Sequence, residues 1–173
     1  AILLSRMIDL EDWQVTILGT DINSGFLRKA AEGGYGRWSF RNAPDWIEKG
    51  YFTGAGAGAS CFSILPRIRK MVEFAYLNLS EDEYPALENN TSAMDVIFCR
   101  NVLMYFTPEQ AWRVAQRFFR SLADGGILIV SPTEASQTLL ADFTPAYLPG
   151  VILFKKDLRK SLEKKVSECV VPP

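Results

Sequence analysis

Apolar runs of strand length alternate along this chain with segments whose apolar positions recur at helical spacing. The clearest run, Met94-Asp95-Val96-Ile97-Phe98-Cys99, breaks at a charged Arg100 beside a polar Asn101. Thr107-Pro108-Glu109 then opens a helix predicted to reach about residue 122, with Ala111, Val114, Ala115, Phe118 and Leu122 on one face. Asp124-Gly125-Gly126 is expected to end it, and Ile127-Leu128-Ile129-Val130 to form the next buried strand. Upstream, residues 15–20 are apolar and β-branched, a strand ending at Asp21. Residues 25–31 follow as a helix, capped by Asn23 or Ser24 and stopped by Gly33-Gly34. Residues 2–8 and 42–49 carry helical patterns, the second closed by Gly50. Residues 72–77 alternate like a strand and end at Asn78-Leu79. Residues 139–147 and 151–154 read as a last pair closing a sheet edge. Strands alternating with helices predict an α/β doubly wound domain, whose right-handed crossovers put the strands' carboxyl ends on one rim.

Ligands of such sheets sit just past the carboxyl ends of the strands. Asp21, Asn78-Leu79 and Arg100-Asn101 all stand there. An Asp in this position accepts hydrogen bonds from ribose hydroxyls of a nucleoside cofactor, or else caps the following turn. Asn78 can offer an amide to an adenine edge or form a turn. Arg100 needs a partner, either a ligand carboxylate or an internal acid. Tyr105-Phe106 reads equally as core packing or as part of the site. Residues 54–60, Gly-Ala-Gly-Ala-Gly-Ala-Ser, read as a flexible hairpin tip.

Composition narrows the chemistry. The 173 residues suffice for one domain with a core. The net charge of −1 gives no basic field for nucleic acid or a membrane surface. No apolar run nears the ~20 residues of a membrane span, and the opening residues lack a signal-peptide pattern. Three scattered cysteines, Cys61, Cys99 and Cys169, show no metal-ligand spacing and fit free thiols in a reducing cytoplasm. The chain has no histidine, so an enzymatic reaction here is expected to need no base near neutral pH.

Gly19-Thr20-Asp21-Ile22, residues 72–79 with their terminal Asn-Leu, and above all Phe98-Cys99-Arg100-Asn101-Val102-Leu103-Met104-Tyr105-Phe106 resemble the chemotaxis receptor methyltransferases of the CheR type. The similarity covers roughly residues 1–157 and includes Tyr35 and the 46–52 segment. It implies a class I, Rossmann-like transferase that uses S-adenosylmethionine, releases S-adenosylhomocysteine and methylates glutamate side chains on the cytoplasmic helices of chemoreceptors. By motif, Asp21 would hold the ribose, Asn78 and Leu79 line the adenine, and Arg100 and Asn101 border the methionine end. Tyr105 would stand near the transferring methyl group as the catalytic residue. Ser131-Pro132-Thr133-Glu134 stands where the family usually carries a Gly-His-Ser-Glu-like string, so the resemblance assigns that loop no role.

A glutamate carboxylate, with a pKa near 4.3, is already ionised at neutral pH, which suits a chain without histidine. The family's first strand, its Gly-rich loop and its small helical amino-terminal domain are not found in these residues, so the chain reads as a fragment of a longer protein. Residues 51–73 correspond to the family's small antiparallel subdomain, which in some members docks a receptor tail by strand addition. Residues 155–166 read as a basic amphipathic helix, either solvated and leading to a linker or further domain or meeting a membrane surface or partner, with 158–173 the basic helical tail or linker. A non-catalytic scaffold of the same fold, or a methyltransferase for a small molecule, are the other readings.

Overall fold

The computed structural model describes residues 1–9, 12–54, 61–136, 138–149 and 151–160. They form two units, residues 1–78 and the residues from Leu79 onward. The Gly-Ala run beyond Gly54 and the basic tail beyond Lys160 lie outside the described residues.

The first unit begins with a single helical turn, α1 (Leu4–Met7), shorter than the 2–8 pattern suggests. Strand β1 (Ile17–Asp21) leads into α2 (Ser24–Glu32). Asn23 caps that helix by accepting from the N–H groups of Gly25 at 2.9 Å and Phe26 at 3.2 Å. Gly33 ends it in the left-handed region at φ 69°, where an added Cβ would meet Ile64 at 2.8 Å, so only glycine fits. The pattern over 42–49 is realised later, as α3 (Asp45–Tyr51). Pro44 holds extended dihedrals (φ −60°, ψ 142°) and disfavours helix in the residue before it, and Gly50 lies inside the helix rather than closing it.

Around α3, β2 (Gly34–Gly36), β3 (Phe52–Thr53) and β4 (Cys61–Ile64) make a small antiparallel sheet in the order β2-β4-β3. Its core is aromatic. Phe40 meets Phe52 and Phe62 edge-on at 4.8 and 4.9 Å, Tyr35 meets Phe52 at 5.3 Å, and Phe62 is fully buried. After the turn α4 (Pro66–Arg69), β5 (Val72–Tyr76) returns parallel to β1, with Ile17 beside Val72 and Asp21 beside Tyr76.

In the second unit β6 (Met94–Cys99) spans the residues its pattern predicts. Helix α5 (Pro108–Ser121) opens on a capping box. Thr107 Oγ1 accepts from the Gln110 N–H at 3.3 Å, and the Thr107 N–H donates to Gln110 Oε1 at 3.2 Å. Its buried face includes Ala111, Val114, Ala115 and Phe118, as the spacing predicts. The expected break at Asp124-Gly125-Gly126 is absent: the helix passes directly into β7 (Leu122–Val130).

Lysine makes that junction possible. Lys156, though buried, donates from Nζ to the Leu122 carbonyl at 2.6 Å, satisfying a helix-end acceptor. Its backbone N–H donates to the Gly126 carbonyl at 2.8 Å, and its carbonyl accepts from the Gly125 N–H at 3.0 Å. Gly125 sits at φ 83°, which suits glycine. The register with β6 slips there, from Met94 beside Leu122 to Val96 beside Ile127.

Strands β8 (Thr144–Leu148) and β9 (Val151–Lys155) complete a sheet in the order β6-β7-β9-β8, parallel between β6 and β7 and antiparallel beyond. The core gathers on β7 and α5, where Val114, Ala115, Leu122 and Leu128 are at most 2% exposed. Among the described residues β1 pairs only with β5, and β6 only with β7. Among the described residues the parallel strands therefore fall in two sheets instead of the one expected. No described helix is long and apolar enough to cross a membrane.

Candidate functional site

The predicted site residues stand at or past the carboxyl ends of parallel strands. In the first unit, Asp21 closes β1, and its carbonyl accepts from the Leu77 N–H at 3.2 Å. That bond puts Asp21 and Asn78 on the same rim. Asp21 Oδ1 accepts from the Asn23 N–H at 2.7 Å, the turn contact its residue type favours, and the carboxylate keeps further lone pairs for a ligand.

In the second unit, the Leu79 carbonyl accepts from Tyr84 Oη and from Arg117 Nη1, both at 3.1 Å. Arg117 rises from α5 with its side chain only 10% exposed and donates from Nε to Asp82 at 2.9 Å. Its hydrogen bond and charge hold the Asp82 carboxyl below the usual range. Burial pushes the Tyr84 hydroxyl up to about 12, so it remains a donor to Leu79. The chain around Leu79 is thus fixed by buried side chains that the sequence pattern did not single out.

Past β6, Arg100 is exposed and makes no ion pair with any described residue, so the internal partner that its residue type allows is not found there. Asn101 lies in the left-handed region at φ 59°, a conformation that Asn tolerates better than most residues. A 3-10 turn, Leu103–Tyr105, follows. Leu103 is buried and anchors it, whereas Tyr105 is 83% exposed. Core packing is therefore not the role of Tyr105 among the described residues.

A carboxylate absent from the predicted set holds this segment. Val130, the last residue of β7, pairs with Cys99, so the loops after β6 and β7 lie side by side. Glu134, at the end of the 3-10 turn Pro132–Glu134, accepts from the backbone N–H groups of Asn101 at 2.8 Å, Val102 at 2.7 Å and Met104 at 3.3 Å. It also accepts from the N–H of Ser131 at 3.1 Å and from the Ser131 hydroxyl.

Burial pushes the Glu134 carboxyl up, but the hydrogen bonds from Ser131, Asn101 and Val102 outweigh it and bring the pKa from 4.5 down to about 2. Cys99, buried beside it, is pushed up to about 12 by burial and then by the Glu134 charge, so the thiol stays neutral. The sequence did hold a signal for Glu134: Ser131-Pro132-Thr133-Glu134 has the spacing of a capping box with Pro at its first turn.

A depressed folded pKa stabilises above the unfolded value and is lost as pH falls through the folded one. Stability on the order of 3 kcal/mol should accordingly disappear between about pH 5 and pH 2. Urea titrations at pH 6 and 3 should show this loss in the wild type and a shallower one in Glu134→Gln. Equal slopes would remove Glu134 as the source.

The α/β fold, with parallel strands alternating with helices, is that of class I S-adenosylmethionine-dependent methyltransferases. Among solved structures, the CMeT domain of the citrinin polyketide synthase matches 90% of this chain and 42% of its own, with a TM-score of 0.50 at 13% identity. The chain belongs to the CheR methyltransferase family, whose SAM-binding domain matches residues 1–147. Chemotaxis protein methyltransferase 2 of Vibrio cholerae is 32% identical over 141 residues, 82% of this chain and 47% of that protein. Chemotaxis protein methyltransferase 1 of Pseudomonas aeruginosa is 34% identical over 141 residues, covering 80% and 48% respectively. The chain spans about half the length of the curated relatives it matches.

Proposed function

We propose that this chain is the cofactor domain of a protein-glutamate O-methyltransferase that acts on the cytoplasmic helices of a chemoreceptor. The observation that carries this reading is the 100–105 segment, where an exposed guanidinium and an exposed phenol follow a parallel strand on a braced backbone. The donor set fits S-adenosylmethionine: a carboxylate for ribose hydroxyls, an amide for the adenine edge, a guanidinium for the amino-acid carboxylate.

On this reading Asp21 holds the ribose, and Asn78 and Leu79 line the adenine. Arg100 and Asn101 border the methionine end, and Tyr105 stands beside the transferring methyl. The cofactor supplies, when bound, an electrophilic methyl on a sulfonium. The residues here bind and align. The substrate carboxylate is ionised without help, so no general base is required, and in-line placement supplies most of the rate. Charge is neutralised on the way to the transition state, so an aromatic, partly dry surface favours the transfer.

The test uses the longest natural polypeptide that carries these residues, given labelled S-adenosylmethionine with receptor cytoplasmic fragments or with small carboxylic acids. Label on the receptor fragments that alkali releases as methanol is the expected result. Transfer only to small acids would replace the substrate assignment, and no transfer with intact cofactor binding would favour a scaffold. Within the same assay, Tyr105→Phe should keep cofactor affinity near wild type and lower turnover roughly tenfold, the worth of one hydrogen bond in the transition state. Unchanged turnover would leave Tyr105 without a catalytic role.

A further inference from the structure

Successive backbone N–H groups in a tight turn can point toward one spot, making a concave anion-binding nest. Asn101 at φ 59°, followed by Val102 at φ −123° and ψ −44°, makes such a turn, and the N–H groups of Asn101, Val102 and Met104 converge on one carboxylate. In many proteins such a nest grips a ligand's phosphate. Here its occupant is internal: the Glu134 carboxylate, 5% exposed, with Oε2 on the Asn101 N–H and Oε1 on those of Val102 and Met104. The segment so gripped carries Arg100 on one side and Tyr105 on the other.

Glu134 is itself fixed. Its Oε2 accepts from the Ser131 N–H and hydroxyl, and Ser131 is buried beside the end of β7. With β7 paired to β6 along Cys99 and Val130, the carboxylate ties the backbone after one strand to the backbone after its neighbour. A loop of exposed functional groups gains rigidity from such support, and alignment is the main demand of an in-line transfer.

We infer that Glu134 is a positioning residue: by filling the backbone nest at residues 101–104 it holds Arg100, Asn101 and Tyr105 in the arrangement that binds cofactor and presents the methyl group. The inference rests on the cofactor reading of Arg100 and Asn101 given above. Glutamine is the informative replacement. It keeps the volume but presents an NH2 group to N–H donors, so one side of the nest meets a donor in place of an acceptor.

The experiment compares wild type, Glu134→Gln, Glu134→Asp, Arg100→Ala and a core control, Leu128→Val, in the longest natural polypeptide that carries these residues. It measures S-adenosylhomocysteine affinity by calorimetry, S-adenosylmethionine KM and kcat, and amide hydrogen exchange over 100–105. Glu134→Gln should weaken binding about tenfold or more, lower kcat as well, and speed exchange at Asn101 and Val102. Leu128→Val should lose stability yet bind like wild type, which separates positioning from general destabilisation. Glu134→Asp, one methylene short, should recover only part of the loss. Wild-type affinity and exchange in Glu134→Gln overturns the inference, as does a loss of affinity that Leu128→Val matches. Arg100→Ala judges the cofactor reading separately. If it binds like wild type that reading fails, and the inference then stands or falls on the Glu134→Gln affinity and exchange.

Discussion

Arg100→Ala should weaken S-adenosylhomocysteine binding about 100-fold while leaving the fold intact. A bidentate guanidinium–carboxylate contact contributes about 3 kcal/mol, and each 1.4 kcal/mol is about a factor of ten in affinity. The side chain is exposed and unpaired among the described residues, so its removal leaves no stranded internal acid there. The melting temperature should move by no more than about 2 °C, as for surface substitutions generally. Calorimetric titration and a thermal melt on the same sample settle both points. An affinity within threefold of wild type would exclude Arg100 from the cofactor site.

Leu128→Ala should have the opposite signature. Leu128 is fully buried at the middle of the second sheet, paired with Ile97 on β6 and Phe154 on β9. Truncating it removes apolar burial from three strands at once and leaves a cavity. The expected cost is about 3 kcal/mol, a fall of roughly 6–12 °C in melting temperature. Urea unfolding checks it, and a loss below about 1 kcal/mol would mean that the strand relaxes to fill the space.

The two sites also show what the sequence could and could not convey. Strand β6 and helix α5 were legible because each carries a complete local code: an apolar run broken by charge, and a capped amphipathic period with Pro at its start. The six candidate positions were picked out for a related reason, since each stands at or soon after the end of an apolar strand. The helix-to-strand junction at Leu122 was not. Asp124-Gly125-Gly126 reads as a break, and what overrides it is Lys156, distant in sequence, whose charge and backbone complete the ladder. The short strand β2, Gly34-Tyr35-Gly36, gave no period to read and exists through pairing with Cys61–Ile64. Glu134 was hidden for a different reason. Its partners are backbone N–H groups, which leave no mark on side-chain patterns, and only the capping-box spacing of 131–134 betrayed it.

The same lysine sets a rule for anyone shortening this polypeptide. Because Lys156 makes three hydrogen bonds with residues 122–126, a stop codon placed before it strips the Leu122 carbonyl and the Gly125-Gly126 backbone of their partners, and one placed before β9 also bares a margin of β7. Subcloning boundaries should therefore fall after Asp157. Shorter versions are expected to accumulate as insoluble material, through the exposed margin of a strand rather than through any loss of chemistry.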